Sequence, residues 1–159
     1  MKSILIDRSR RLRDDPGTGH NRWHPDIAPI AEVAPGEEIL LETRDASDGQ
    51  VKPGMRFEDL ASHDKKAGHP LTGPIFVKGA EPGDVLEIEF VDLIPQNYGW
   101  TVIRPGAGFL REIFDAKFLA HWDIDKGFAR SAQIPGVKIP EGVFMGTAGV
   151  APSHEQMLR

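Results

Sequence analysis

Across residues 85–93 apolar and acidic side chains alternate, with Leu86, Ile88 and Phe90 separated by Glu87 and Glu89. A period of two places one set of side chains on each face of an extended chain, so this stretch predicts a half-buried strand. Residues 38–43 carry a comparable β-compatible run, and further strands are expected at 2–6, 74–77, 100–103, 121–124, 127–132 and 143–150. No window keeps a 3.6-residue apolar period over three turns. Residues 56–62 are expected to form one short helix, and 110–114 a single turn.

Between the runs stand five Pro-Gly steps, at 35–36, 53–54, 82–83, 105–106 and 135–136. They suit turns with proline second and glycine third. Two of them head a weak internal echo: residues 34–42 (APGEEILLE) resemble 81–89 (EPGDVLEIE), each a tight turn feeding a strand. The fold class that follows is mainly β, a β-sandwich or jelly-roll-like arrangement with few short helices. At 159 residues, one domain is expected. Near the C-terminus Ser153 is a plausible N-cap for a helix that Arg159 leaves unfinished.

Charge changes the picture by exclusion. Nineteen Lys and Arg against 24 Asp and Glu give a net charge of -5, with no basic stripe to displace counterions from phosphates, so nucleic acid is not an expected partner. No cysteine is present, which rules out disulfides and thiolate-bound metal. The N-terminus has no long apolar signal region, and no run approaches the roughly 20 apolar residues needed to span a bilayer. A cytoplasmic protein without a membrane partner is the expectation.

Three clusters hold the candidate chemistry. In residues 19–26 (GHNRWHPD) His20 and His24 stand four apart with Asp26 beyond, and imidazole and carboxylate are the usual ligands of hydrolytic zinc. Pro25 argues for extended chain here, so the spacing alone does not put both histidines on one face. In residues 42–50 (ETRDASDGQ) Asp45 leaves a predicted strand, placed for metal ligation or base chemistry, or simply to cap the loop; Asp48-Gly49 reads as a structural turn pair. In residues 63–74 His69 sits in a Gly- and Pro-punctuated loop that leads into a strand. No Gly-x-Ser-x-Gly elbow and no cysteine nucleophile occurs.

Residues 17–27, 34–50, 69–90, 105–114 and 134–153 resemble the acetamidase/formamidase family, including its γ-lactam-hydrolysing members, over nearly the whole chain. The resemblance implies hydrolysis of small amides of the formamide or acetamide type to a carboxylic acid and ammonia. It implies a β-rich cytoplasmic homo-oligomer with zinc or a similar divalent ion. Carried over by position, it points to His20, His24 and Asp45 as metal ligands and to Asp45 and His69 as catalytic residues. γ-Lactam hydrolysis and a non-catalytic β-sandwich for binding or assembly are the alternatives.

Family members are considerably longer, with a Gly-Asp-x-His segment and a Gln-Gly-Asp-Gly-Glu segment in the second half that have no counterpart here. Residues 1–159 therefore read as the N-terminal β domain of such a hydrolase, expected to associate with a C-terminal portion and to have an incomplete site alone.

Overall fold

A computed structural model describes residues 1–158. Its strands in chain order are β1 (Lys2–Ile4), β2 (Gly19–His20), β3 (Ala31–Val33), β4 (Ile39–Leu41), β5 (Leu71–Thr72), β6 (Ile75–Val77), β7 (Tyr98–Ile103), β8 (Phe118–Asp125), β9 (Phe128–Arg130) and β10 (Lys138–Pro140). Helix is confined to short 3-10 pieces, the longest at Phe57–Ser62. The protein is mainly β, as its turn density predicts, and no barrel closes among the described residues. The chain divides into two compact units.

All five Pro-Gly steps are turns closed by an i to i+3 backbone hydrogen bond, such as Glu37 N to Ala34 O at 3.1 Å and Asp84 N to Glu81 O at 3.1 Å. Their glycines have φ between 76° and 106°, the left-handed region that the third position of a type II turn requires. The two turns of the echo also share a side-chain cap, although only the first feeds a paired strand. Glu37 caps the N–H of Ala34 at 3.0 Å, and Asp84 caps that of Glu81 at 2.8 Å.

The first unit comprises Met1–Gln50, Asp64–Glu89 and the tail from Gly146. It holds three two-stranded ladders: β1 with β4 and β3 with β6, both parallel, and β2 with β5, antiparallel. Glu42 extends the first ladder, its N–H donating to Ile4 O and its carboxylate accepting from Ile6 N, each at 2.9 Å. That backbone donor, with Arg8 at 3.0 Å, holds the Glu42 carboxyl below the usual glutamate range.

The second unit comprises Val51–His63 and Phe90–Met145. Its sheet is antiparallel in the order β10-β9-β8-β7. On β8 Leu119, Ala120 and Trp122 are buried, and Leu119 joins Val51 and Leu60 in a core against which Met55, Phe57, Trp100 and Val102 pack. Burying each such aliphatic side chain is worth about 1.5–3 kcal/mol. Polar groups at this core are satisfied: Trp122 Nε1 donates to Thr101 Oγ1 at 3.1 Å, and His121 lies between Tyr98 Oη and the Met55 carbonyl, each 2.7 Å away.

Two predicted strands do not form. Residues 85–93 join no ladder, and Val85, Ile88 and Phe90 are 95%, 55% and 50% exposed. Residues 143–150 likewise pair with nothing. Alternation marks a face suited to burial, but a strand exists only where another strand supplies its hydrogen bonds.

Candidate functional site

Apart from His63, the three clusters singled out from the sequence meet within the first unit. Antiparallel pairing sets Gly19 opposite Thr72 and His20 opposite Leu71, bringing the first cluster alongside the chain that follows His69. Gly19 must be glycine for reasons of space, because a Cβ there would lie 2.2 Å from the Leu71 carbonyl oxygen. Next to it Asn21 Nδ2 donates to the Lys66 carbonyl at 2.8 Å. His69 N donates to Ala46 O at 2.9 Å, and the Gln50 side chain bonds the Asp64 backbone twice, at 2.8 and 3.2 Å, so the second and third clusters are stitched together. His69 has φ 56°, a left-handed conformation that a non-glycine residue takes only when its surroundings hold it there.

Asp45 is the organiser of its turn. Its Oδ1 accepts from Ser47 N at 2.8 Å and from the Ser47 hydroxyl, and its Oδ2 accepts from Gly49 N at 2.7 Å. These are the bonds of an Asx-type turn. Asp48, 3% exposed, accepts from Leu12 N at 3.0 Å through both oxygens, with guanidinium nitrogens of Arg11 and Arg44 at 3.9 Å. Arg44 in turn pairs with Asp15 at 2.8 Å and donates to Arg10 O. Asp48 thus anchors residues 10–15 to the turn, the structural role its position beside Gly49 suggests.

The histidines differ in what they offer a ligand. His20 Nδ1 lies 2.7 Å from the Arg22 carbonyl, which can only accept, so this nitrogen carries the proton and Nε2 keeps its lone pair outward from that bond. The ring stands edge-to-face to Trp23 at 6.2 Å. His24 Nδ1 accepts from Asp26 N at 3.2 Å, which places its proton on Nε2. Ligation through His24 Nε2 would require that bond to be given up.

Among the described residues no three His, Asp or Glu side chains gather as a group able to hold a metal ion. His20, His24 and Asp45 therefore do not form a three-ligand centre. Each is bonded locally instead: Asp45 within its own turn, His24 Nδ1 to Asp26 N and His20 Nδ1 to the Arg22 carbonyl.

One contact was not readable from the sequence. His154 Nε2 lies 2.9 Å from Asp26 Oδ1, and its ring stands edge-to-face to His24 at 6.1 Å. The neighbouring Gly149 lets the Trp23 ring approach, since a Cβ at Gly149 would be 3.0 Å from Trp23 Cη2. The only sequence signal nearby was Ser153, which does cap the final turn: Gln156 N lies 3.2 Å from Ser153 Oγ, and Gln156 Oε1 returns a bond to Ser153 N at 2.7 Å.

Loops positioned by a rigid scaffold are where binding and catalytic residues concentrate. The family model described as "Acetamidase/Formamidase family" matches residues 5–159. The chain is 37% identical to a putative formamidase of Schizosaccharomyces pombe, covering 96% of this chain and 38% of that one. It is 34% identical to the acetamidase of Mycolicibacterium smegmatis, over 97% of this chain and 41% of that one. A γ-lactamase from Delftia acidovorans superposes with a TM-score of 0.80 at 36% identity, over 88% of this chain and 36% of that one. The protein belongs to the acetamidase/formamidase family. It spans about two-fifths of the length of the curated relatives it matches. No helix among the described residues is long and apolar enough to cross a membrane.

Proposed function

We propose that this chain is part of an amide hydrolase that cleaves formamide- or acetamide-type substrates to a carboxylic acid and ammonia. The observation that carries the reading is the convergence of residues 19–26, 42–50 and 64–74 in one compact unit of a chain belonging to this family. Water adds to the amide carbon, the C–N bond breaks, and a proton from the water passes to the departing nitrogen. Asp45 and His69 are the catalytic candidates this chain supplies, with Asp45 also holding its turn in shape, and the group that moves that proton is expected in the remaining portion of the enzyme. Zinc or a similar divalent ion would activate the water by lowering its pKa. His20 and Asp45 are donors this chain offers to it, Asp45 Oδ2 having a lone pair beyond its bond from Gly49 N, and His24 would join by releasing its bond from Asp26 N.

The same arrangement supports γ-lactam hydrolysis as a second reading, favoured by the likeness to the Delftia acidovorans γ-lactamase. The cell compartment in this reading is the cytoplasm, the β architecture is completed as a sandwich, and the working assembly is a homo-oligomer or a complex with a C-terminal portion. Ammonia release from formamide and acetamide, opening of a γ-lactam, and bound metal are to be measured on the purified chain and on the chain co-expressed with a relative's remaining portion. Turnover is expected only in the co-expressed sample. A complex that forms but neither hydrolyses any of the three substrates nor holds metal would favour a non-catalytic assembly module.

A further inference from the structure

In the second unit the connection from β7 to β8 carries the segment 109–114, folded as a turn in which Ile113 N and Phe114 N both donate to Leu110 O, at 3.0 and 2.9 Å. Phe109, Leu110, Ile113 and Phe114 are 105%, 55%, 71% and 51% exposed. The charged residues between them, Arg111 and Glu112, pair with each other at 3.1 Å, so the apolar positions set the character of the turn. Large aromatic side chains held clear of the fold by an ordered backbone are the usual anchors of an interface.

The total surface says how much is to be covered. The chain exposes 11783 Å². A compact protein of 17.5 kDa would expose roughly 7,900 Å², and even two independent compact halves would together expose roughly 9,500 Å². The surplus is at least roughly 2,000 Å², whereas a standard-size dimer contact covers about 800 Å² per partner. The two-stranded ladders of the first unit, each of two or three residue pairs, are likewise shorter than a self-sufficient sheet.

We propose that the 109–114 turn docks onto polypeptide equivalent to the part of the Delftia acidovorans γ-lactamase outside the matched region, and not onto a second copy of this chain. A surplus more than twice what a standard dimer takes fits a fold-completing surface, and the matched region is only 36% of that relative. The inference rests on family membership and is independent of amide hydrolysis.

The test is co-expression of the tagged chain with the unmatched portion of that γ-lactamase, for the wild type and for a Phe109→Asp/Phe114→Asp double variant. Capture at 1:1 stoichiometry is expected for the wild type, with retention at least tenfold lower for the variant. Circular dichroism should be the same for both, because these side chains are exposed. Failure of the wild type to capture the portion overturns the proposal, as does undiminished capture by the variant. Sedimentation of the wild-type chain alone as a dimer that the two substitutions dissociate assigns the turn to a second copy and also overturns it.

Discussion

Gly19 lies so close to Leu71 that a Cβ on the glycine would come within 2.2 Å of the Leu71 carbonyl oxygen. Backbone meets backbone at this point, and neither side can swing away as a flexible side chain would. Gly19→Ala is therefore expected to open the β2–β5 ladder, displacing His20 and lowering the urea midpoint. Amide hydrogen exchange at His20 and Leu71 should rise selectively; unchanged protection there would show that the backbones are not in contact.

Asp45 holds its turn with both carboxylate oxygens. An amide presents only one acceptor oxygen, so Asp45→Asn should forfeit at least one of these bonds, at about 1 kcal/mol. His20→Ala removes one hydrogen bond to the Arg22 carbonyl and the edge-to-face contact with Trp23, and should likewise cost about 1 kcal/mol. If both residues serve hydrolysis, each variant in an active complex should lose most ammonia release while remaining folded. Normal turnover in both would place the chemistry elsewhere.

The Glu42 carboxyl is held below the usual glutamate range, first by the Ile6 N–H and then by Arg8. The unfolded chain takes up this proton at a higher pH than the folded one. The stabilisation is consequently complete above the ordinary glutamate pKa and fades as pH falls through the lower folded value. Glu42→Gln should be less stable than wild type at pH 7, with the gap closing below about pH 4. Thermal melts across pH 3–7 check this, and a gap independent of pH would remove the charge from the explanation.

Gly149 gives the Trp23 ring its seat, with 3.0 Å between a hypothetical Cβ and Trp23 Cη2. Gly149→Ala should shift the Trp23 indole N–H resonance and leave those of Trp100 and Trp122 in place, because both belong to the other compact unit. His154→Ala removes an exposed pair to Asp26 and an edge-to-face contact with His24 and should alter stability by under about 1 kcal/mol.

What the sequence determined by itself was local. Each Pro-Gly turn closes over three residues, proline setting one φ and glycine admitting the positive one, so all five could be read from neighbouring residues. The cap at Ser153 and the short helix at Phe57–Ser62 were legible for the same reason. The acetamidase/formamidase motifs were also legible, and with them the candidates His20, Asp45 and His69. Tertiary structure decided the rest. Which strand covers a face depends on partners far along the chain, so the alternation at 85–93 could not reveal that no ladder forms there. The meeting of His154 with Asp26 spans more than a hundred residues. The turn that commits Asp45 to its own backbone, and the carbonyl that fixes the proton of His20, came from geometry as well. A hydrogen bond's direction and the lone pair it leaves over are properties of positions in space, which residue order constrains only through the fold.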